Sequence, residues 1–204
     1  MEVQMKISKG LIALIVIIVI VFGMYGWVKG NYNKMVMAEE EVNEKWSQVE
    51  NVYQRRLDLI PNLVNTVKGY AAHEKDTFAA VTEARAKAGG MVNIDADVLN
   101  NPAQFAKFQQ AQSSLGSALQ RLMVIQERYP ELKANQNFLA LQSQLEGTEN
   151  RITVERKRFN EVAKSYNVLI RQFPASMLAG MFGFDKKLYF TATEGAETAP
   201  TVEF

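Results

Sequence analysis

Two runs hold the densest charged chemistry in this chain: Arg55-Arg56-x-Asp58, with Asn62 one helical turn on, and Glu146…Glu149-Asn150-Arg151…Glu155-Arg156. At helical spacing, carboxylates and guanidinia form ion pairs within one helix or between two, and a solvated, salt-bridged face is the simplest product. The sharper expectation is a polar recognition surface across two packed helices, made of Arg56, Asp58, Asn62, Glu149, Asn150 and Arg151. It would lie beside Pro61, whose missing N–H frees backbone groups that could also meet a partner.

Catalytic chemistry finds less support. The sole histidine, His73, stands beside Glu74 and has no second histidine for an H-E-x-x-H zinc site; a catalytic zinc usually takes three protein ligands, so His73 reads as a solvated helix residue. None of the serines from Ser47 to Ser176 lies in G-x-S-x-G, and no Walker A or G-x-G-x-x-G loop occurs. The absence of cysteine excludes disulfides, thiolate metal sites and cysteine nucleophiles. The reading is a non-enzyme with no catalytic, cofactor-binding or metal-binding residues.

The elements that would carry the polar runs begin with GLIALIVIIVIVFGMYGWV, uncharged between Lys9 and Lys29. As a helix it reaches roughly 28 Å, close to the thickness of a bilayer's hydrocarbon core. It exceeds a signal-peptide core, no A-x-A site follows, and Tyr25, Trp27 and Tyr32 suit an interface, so it reads as an uncleaved anchor. The expected divisions are a basic flank at 1–9, a transmembrane helix at 10–29 in contact with lipid, a helical bundle at 30–190 and an acidic tail at 191–204. Without Lys6, Lys9, Lys29 and Glu2, 20 basic and 21 acidic residues remain, a formal charge of −1. That leaves no strong field for nucleic-acid phosphates. Roughly 170 residues outside the membrane suit one domain with a real core.

Apolar residues recur at helical spacing, and almost nothing alternates with period two. Val42, Trp46, Val49, Tyr53, Leu57, Ile60, Val64, Val67 and Ala71 keep one phase through Pro61, predicting a long helix kinked there and continuing to about Ala88, with Gly89-Gly90 as a left-handed cap. MVNIDADVLN reads as loop, and Asn101-Pro102 starts a second helix ending near Tyr129-Pro130. A third runs from about Asn135 to Phe173 with the stripe Phe138, Leu141, Leu145, Thr148, Ile152, Glu155, Phe159, Val162, Tyr166, Leu169 and Phe173. Its period of 3.5 suits coiled-coil-like packing, and polar Thr148 and Glu155 fit a seam edge or a register-setting layer.

The segment from Trp46 to Val64, WSQVENVYQRRLDLIPNLV, continuing to Val67-Lys-Gly-Tyr70 and Ala84-Arg85, resembles the bacterial LemA family. The likeness resumes at Tyr129-Pro-Glu-Leu-Lys-Ala-Asn and runs through Leu145-Glu-Gly-Thr-Glu-Asn-Arg-Ile152, Phe159-Asn160, Tyr166-Asn167 and Phe173-Pro174 to the closing Pro-Thr-Val-Glu-Phe204. The resemblance implies a single-pass membrane protein bearing an all-α, antiparallel bundle of four-helix type, with no established enzymatic activity. At Phe159 this chain departs from the family's frequent Tyr, keeping the ring and dropping a hydroxyl.

SMLAGMFGFDKKLYF is apolar and broken by Gly180 and Gly183. Met177, Leu178, Met181, Phe182 and Phe184 would close the bundle's end or adhere to a neighbouring protomer or the membrane, with Met181 and Phe182 as candidate partner-binding residues. Terminal Val202-Glu203-Phe204 could dock a partner. The leading reading is a non-enzymatic scaffold of the bacterial inner membrane, homo-oligomeric, with its bundle on the periplasmic side. Met35, Val36, Met37, Met177, Met181 and Phe182 would supply the contact surface. A sensory adaptor, or an accessory subunit of an envelope protease or transporter, is the alternative.

Overall fold

The computed structural model describes residues 9–91 and 96–191. The basic flank before Lys9 and the acidic tail after Thr191, with Val202-Glu203-Phe204, lie outside the described residues.

All nine members of the first apolar stripe are buried, and the eight from Val42 to Val67 share one 60-residue helix, α1, Lys9–Lys68. Pro61 lies inside it. A proline there offers no N–H to the carbonyl of Leu57, four residues back. That carbonyl instead accepts a bond from Arg85 Nε at 2.9 Å, so the freed acceptor is spoken for by the next helix. Arg85→Leu should therefore cost about 1–2 kcal/mol in the native background. It should cost distinctly less alongside Pro61→Ala, which restores an N–H to Leu57. Thermal unfolding of the native protein and the three variants measures this coupling, and equal costs in both backgrounds would dismiss it.

The expected continuation to Ala88 is corrected. α1 ends at Lys68, the chain reverses through 69–74, and α2 spans Lys75–Gly89. The reversal escaped the periodicity because Ala71, buried in the turn, sits where the stripe's next member would. Tyr70 and Ala71 both bond back to the Val67 carbonyl, tightening the last turn. Glu74 meets Arg128 at 3.1 Å and accepts from the Tyr129 hydroxyl, tying this corner to the far loop. His73 is exposed within the turn, not on a helix. Gly90, φ −65°, caps α2 in the right-handed region, so the left-handed cap expected at Gly89-Gly90 is not there. Part of the expected loop is a 3-10 turn, Ala96–Asn100, whose Val98 and Leu99 are fully buried.

α3, Pro102–Val124, starts as its sequence says: Asn101 Oδ1 accepts from the N–H groups of Ala103 and Gln104, and Pro102 needs no acceptor. A 3-10 turn at Ile125–Arg128 and the short α4, Pro130–Lys133, lead into α5, Gln136–Arg171, capped by Asn135 onto the N–H of Phe138. Thr148 is buried and donates its hydroxyl to the Gln144 carbonyl of its own helix, while Glu155 pairs with Arg158 at 2.8 Å. Near the end of α5 the buried set moves to Ala163, Tyr166, Asn167 and Ile170. Phe173, past the helix end, is 83% exposed rather than in the seam.

α1 and α5 run antiparallel in one register. Trp46 packs on Phe159, Arg56 pairs with Glu149, and Asn135 donates to the Tyr70 hydroxyl. With α2 against α3 and both antiparallel to their neighbours, the result is an all-α bundle of four long helices.

Its lower end is closed by α6, Ala175–Phe182, stopped by Gly183 at φ 75°, and by an extended strap at 184–191. Two asparagines a heptad apart on α5 hold the strap. Asn160 donates to the Phe190 carbonyl and accepts from its N–H; Asn167 does the same for Lys187 and also donates to the Tyr189 hydroxyl. The N–H of Leu188 bonds to the Leu99 carbonyl, and Lys187 meets Glu39 of α1 at 2.7 Å. Phe190 thereby enters the aromatic core of Trp46, Phe105, Phe108 and Phe159. Leu178 closes the bundle end as expected, but Met177 and Met181 are exposed. Met35 is fully buried, so it completes the monomer's core and cannot belong to the contact surface expected of it.

Candidate functional site

Between α3 and α5 an open groove of about 740 Å³ exposes part of α1 at its floor, lined by Tyr53, Arg56, Gln112, Glu149, Ile152 and Arg156 among others. Arg56 is its centre. Helical phase puts this residue next to Leu57 on the buried side of α1, so a cationic side chain sits at a position only 3% exposed. Nη1 donates to Glu149 Oε1 and Oε2 at 3.1 and 3.3 Å, and Nη2 donates to the Gln112 carbonyl and side-chain Oε1. The guanidinium also lies 5.1 Å from the Tyr53 ring centroid. Burial pushes the Tyr53 phenol up, against the downward pull of the Arg156 and Arg56 guanidinia.

Arg56 Nε and Gln112 Nε2 are buried with no partner. Donors held out of water without an acceptor cost free energy that a ligand oxygen would recover. Both belong to residues lining the groove, and with Arg156 at the rim the chemistry suits an acceptor: a carboxylate or a peptide carbonyl. Arg156 Nη2 already donates to the Thr191 carbonyl at 3.1 Å, where the strap reaches the groove's edge. A second concavity of about 780 Å³, between the end of α1 and α2, is lined by residues such as Lys68, Phe78 and Thr82, and none of its lining residues has a buried polar atom lacking a partner.

Of the residues expected to form a recognition surface, Arg56 and Glu149 come together. Asp58, Asn62, Asn150 and Arg151 are exposed. Asp58 accepts from Gln54 along its own helix, and the Asn62 carbonyl accepts from Thr66. The carbonyl freed by Pro61, expected to be open to a partner, is taken by Arg85. Met181 and Phe182 sit on α6, near the end of the apolar segment and far along α1 from Arg56. Sequence reasoning missed Gln112, which in the run QQAQSS looks like any solvated amide. Asn160 and Asn167 were visible as paired aromatic-Asn steps without a role attached.

Taken together, these features define an all-α protein with a four-helix bundle on one helix long and apolar enough to cross a membrane; the most apolar stretch of that helix is wholly unburied. The chain belongs to the LemA family, whose model matches residues 45–204. It is similar to magnetosome protein MamQ of Magnetospirillum gryphiswaldense, 30% identical over 182 residues covering 82% of this chain and 67% of that protein. Magnetosome protein MamQ 1 of Paramagnetospirillum magneticum is 28% identical over 186 residues, with the same coverage. Protein LemA of Metamycoplasma hominis is 24% identical over 181 residues, covering 88% of this chain and 78% of that protein.

Proposed function

We propose that this chain is a non-enzymatic, membrane-anchored scaffold that presents the α3–α5 groove to an acceptor-rich segment of another protein. The observation that carries this reading is α1 itself. Its first part is apolar and its most apolar stretch is unburied, its second part is the bundle's core helix, and no break separates the two. Such a helix holds the bundle at a fixed height above a bilayer. Membrane anchoring is supported by the apolar length, and a partner role by the buried, unpartnered donors of Arg56 and Gln112.

Self-association is part of the proposal, through the spans rather than through Met35. Gly26 and Gly30, four apart, have open space where a Cβ would stand, which lets a neighbouring helix approach closely. Lys6 and Lys9 before the span balance Lys29 and Lys34 after it, so these lysines set no side, and the extracytoplasmic bundle in the bacterial inner membrane is a part of the proposal that only the test of sidedness decides.

A photo-crosslinking residue at Ser113, in the groove, tests the docking reading against one at Ala79, in the other concavity. Expected is a discrete protein adduct from Ser113 alone, lost on Gln112→Leu. Equal or absent adducts from both positions would defeat it. Sizing the detergent-extracted protein tests self-association, and protease protection on intact cells and spheroplasts tests the side.

A further inference from the structure

The helix α6 carries no charge on any face: from Gln172 to Phe184 the chain has no Asp, Glu, Lys or Arg. Ala175, Leu178 and Ala179 are buried against the bundle. On the opposite side, Met177 and Met181, four residues apart, are 66 and 74% exposed, and Phe173, in the turn just before the helix, is 83% exposed. A soluble bundle would put charge there.

Its height answers what covers it. The Phe182 and Phe184 rings meet Tyr32 of α1 edge-on, with centroids at 5.0 and 5.7 Å. Tyr32 is three residues beyond Lys29, so it stands about 4.5 Å along the helix past the end of the uncharged span. The headgroup layer on each side of a bilayer is about 5–7 Å deep, and interfacial helices bury their apolar faces about 5–10 Å into that boundary. Tyr25 and Trp27, both exposed, lie about 10 and 7.5 Å lower on α1, inside the end of the uncharged span, where aromatic side chains suit the edge of the bilayer.

Resting on the membrane-anchored reading, we propose that α6 lies in the headgroup layer of the leaflet from which α1 emerges, with Phe173, Met177 and Met181 turned toward the acyl chains. The chain thus has a second, interfacial attachment beside its span, contiguous with the span's own lipid-facing surface. A second copy is the rival occupant, but three side chains fall well short of the roughly 800 Å² per partner that a stable interface buries.

The chain has no cysteine, so single spin labels can be placed cleanly. Met177→Cys and Met181→Cys report on α6, Phe22→Cys on the span, and exposed Gln144→Cys on the far part of α5. The full chain is reconstituted into phosphatidylcholine vesicles containing phosphatidylglycerol, and each label's collisions with oxygen, which favours the acyl region, and with a water-soluble nickel chelate are compared. Expected are oxygen-rich environments at Phe22, Met177 and Met181, shallower for the α6 pair, and chelate access at Gln144. If Phe22 is lipid-exposed while both α6 labels match Gln144, α6 is in water and the inference falls with the anchor intact. If the α6 labels are shielded from both reagents and show spin–spin broadening, a second copy covers the face and the inference again falls. Chelate access at Phe22 would overturn the anchor and this proposal together.

Discussion

Asn167→Leu is expected to destabilise the bundle by about 2–4 kcal/mol and to release the strap at 184–191. Asn167 is 2% exposed and its amide pairs with both the carbonyl and the N–H of Lys187, which lose those partners for as long as the strap stays docked. Each buried group left unpaired costs about 1–3 kcal/mol. In a chain of this size that corresponds to a fall in Tm of roughly 4–16 °C at about 2–4 °C per kcal/mol. Asn167→Asp keeps an acceptor for the Lys187 N–H but sets a carboxylate against the Lys187 carbonyl, so it should be little better. Limited trypsin digestion supplies the second readout, because Lys186 and Lys187 then become cleavable under native conditions. A variant with unchanged Tm and an uncut strap would show that the aromatic packing of Phe190 alone holds the segment.

Glu149→Ala is expected to cost more than Arg56→Met, although both break the same pair. The Arg56 side chain is 4% exposed and the Glu149 side chain 43%. Stripped of Arg56, Glu149 turns to water; stripped of Glu149, Arg56 remains a buried cation with only Gln112 and the Tyr53 ring for compensation. Removing one partner of a buried pair costs about 3–5 kcal/mol, discounted here to about 2–3 because Glu149 is already partly hydrated, whereas an apolar isostere in place of the buried charge should cost under about 1. The double variant should be more stable than Glu149→Ala alone. Denaturant midpoints for the three decide it, and the reverse order would mean that Gln112 rather than Glu149 balances Arg56.

The parts of this fold legible in the sequence are those in which one helix face repeats many times. The stripe from Val42 to Ala71 named the core of α1, and Asn101-Pro102 and Asn135 named two helix starts, because caps and periodicity are local. The Gly69–Glu74 reversal was hidden by Ala71, in phase with the stripe but in a turn. The strap was hidden because a short extended segment rich in lysine has no period, and its order comes from Asn160 and Asn167, twenty to thirty residues upstream. The groove was half legible: Arg56 and Glu149 were singled out as charged positions, but Gln112 takes its meaning from the α1–α3 packing, and Arg85 from a carbonyl whose vacancy only the position of Pro61 announces.

The unbroken α1 makes residue count a matter of direction as well as height. Each residue between the span and Trp46 turns the helix by about 100° and lifts it 1.5 Å. The azimuth at which the α3–α5 groove faces along the membrane is therefore geared to the face that the span presents to its neighbours. Whatever helix packs on Gly26 and Gly30 fixes, through that gearing, the compass bearing of Arg56.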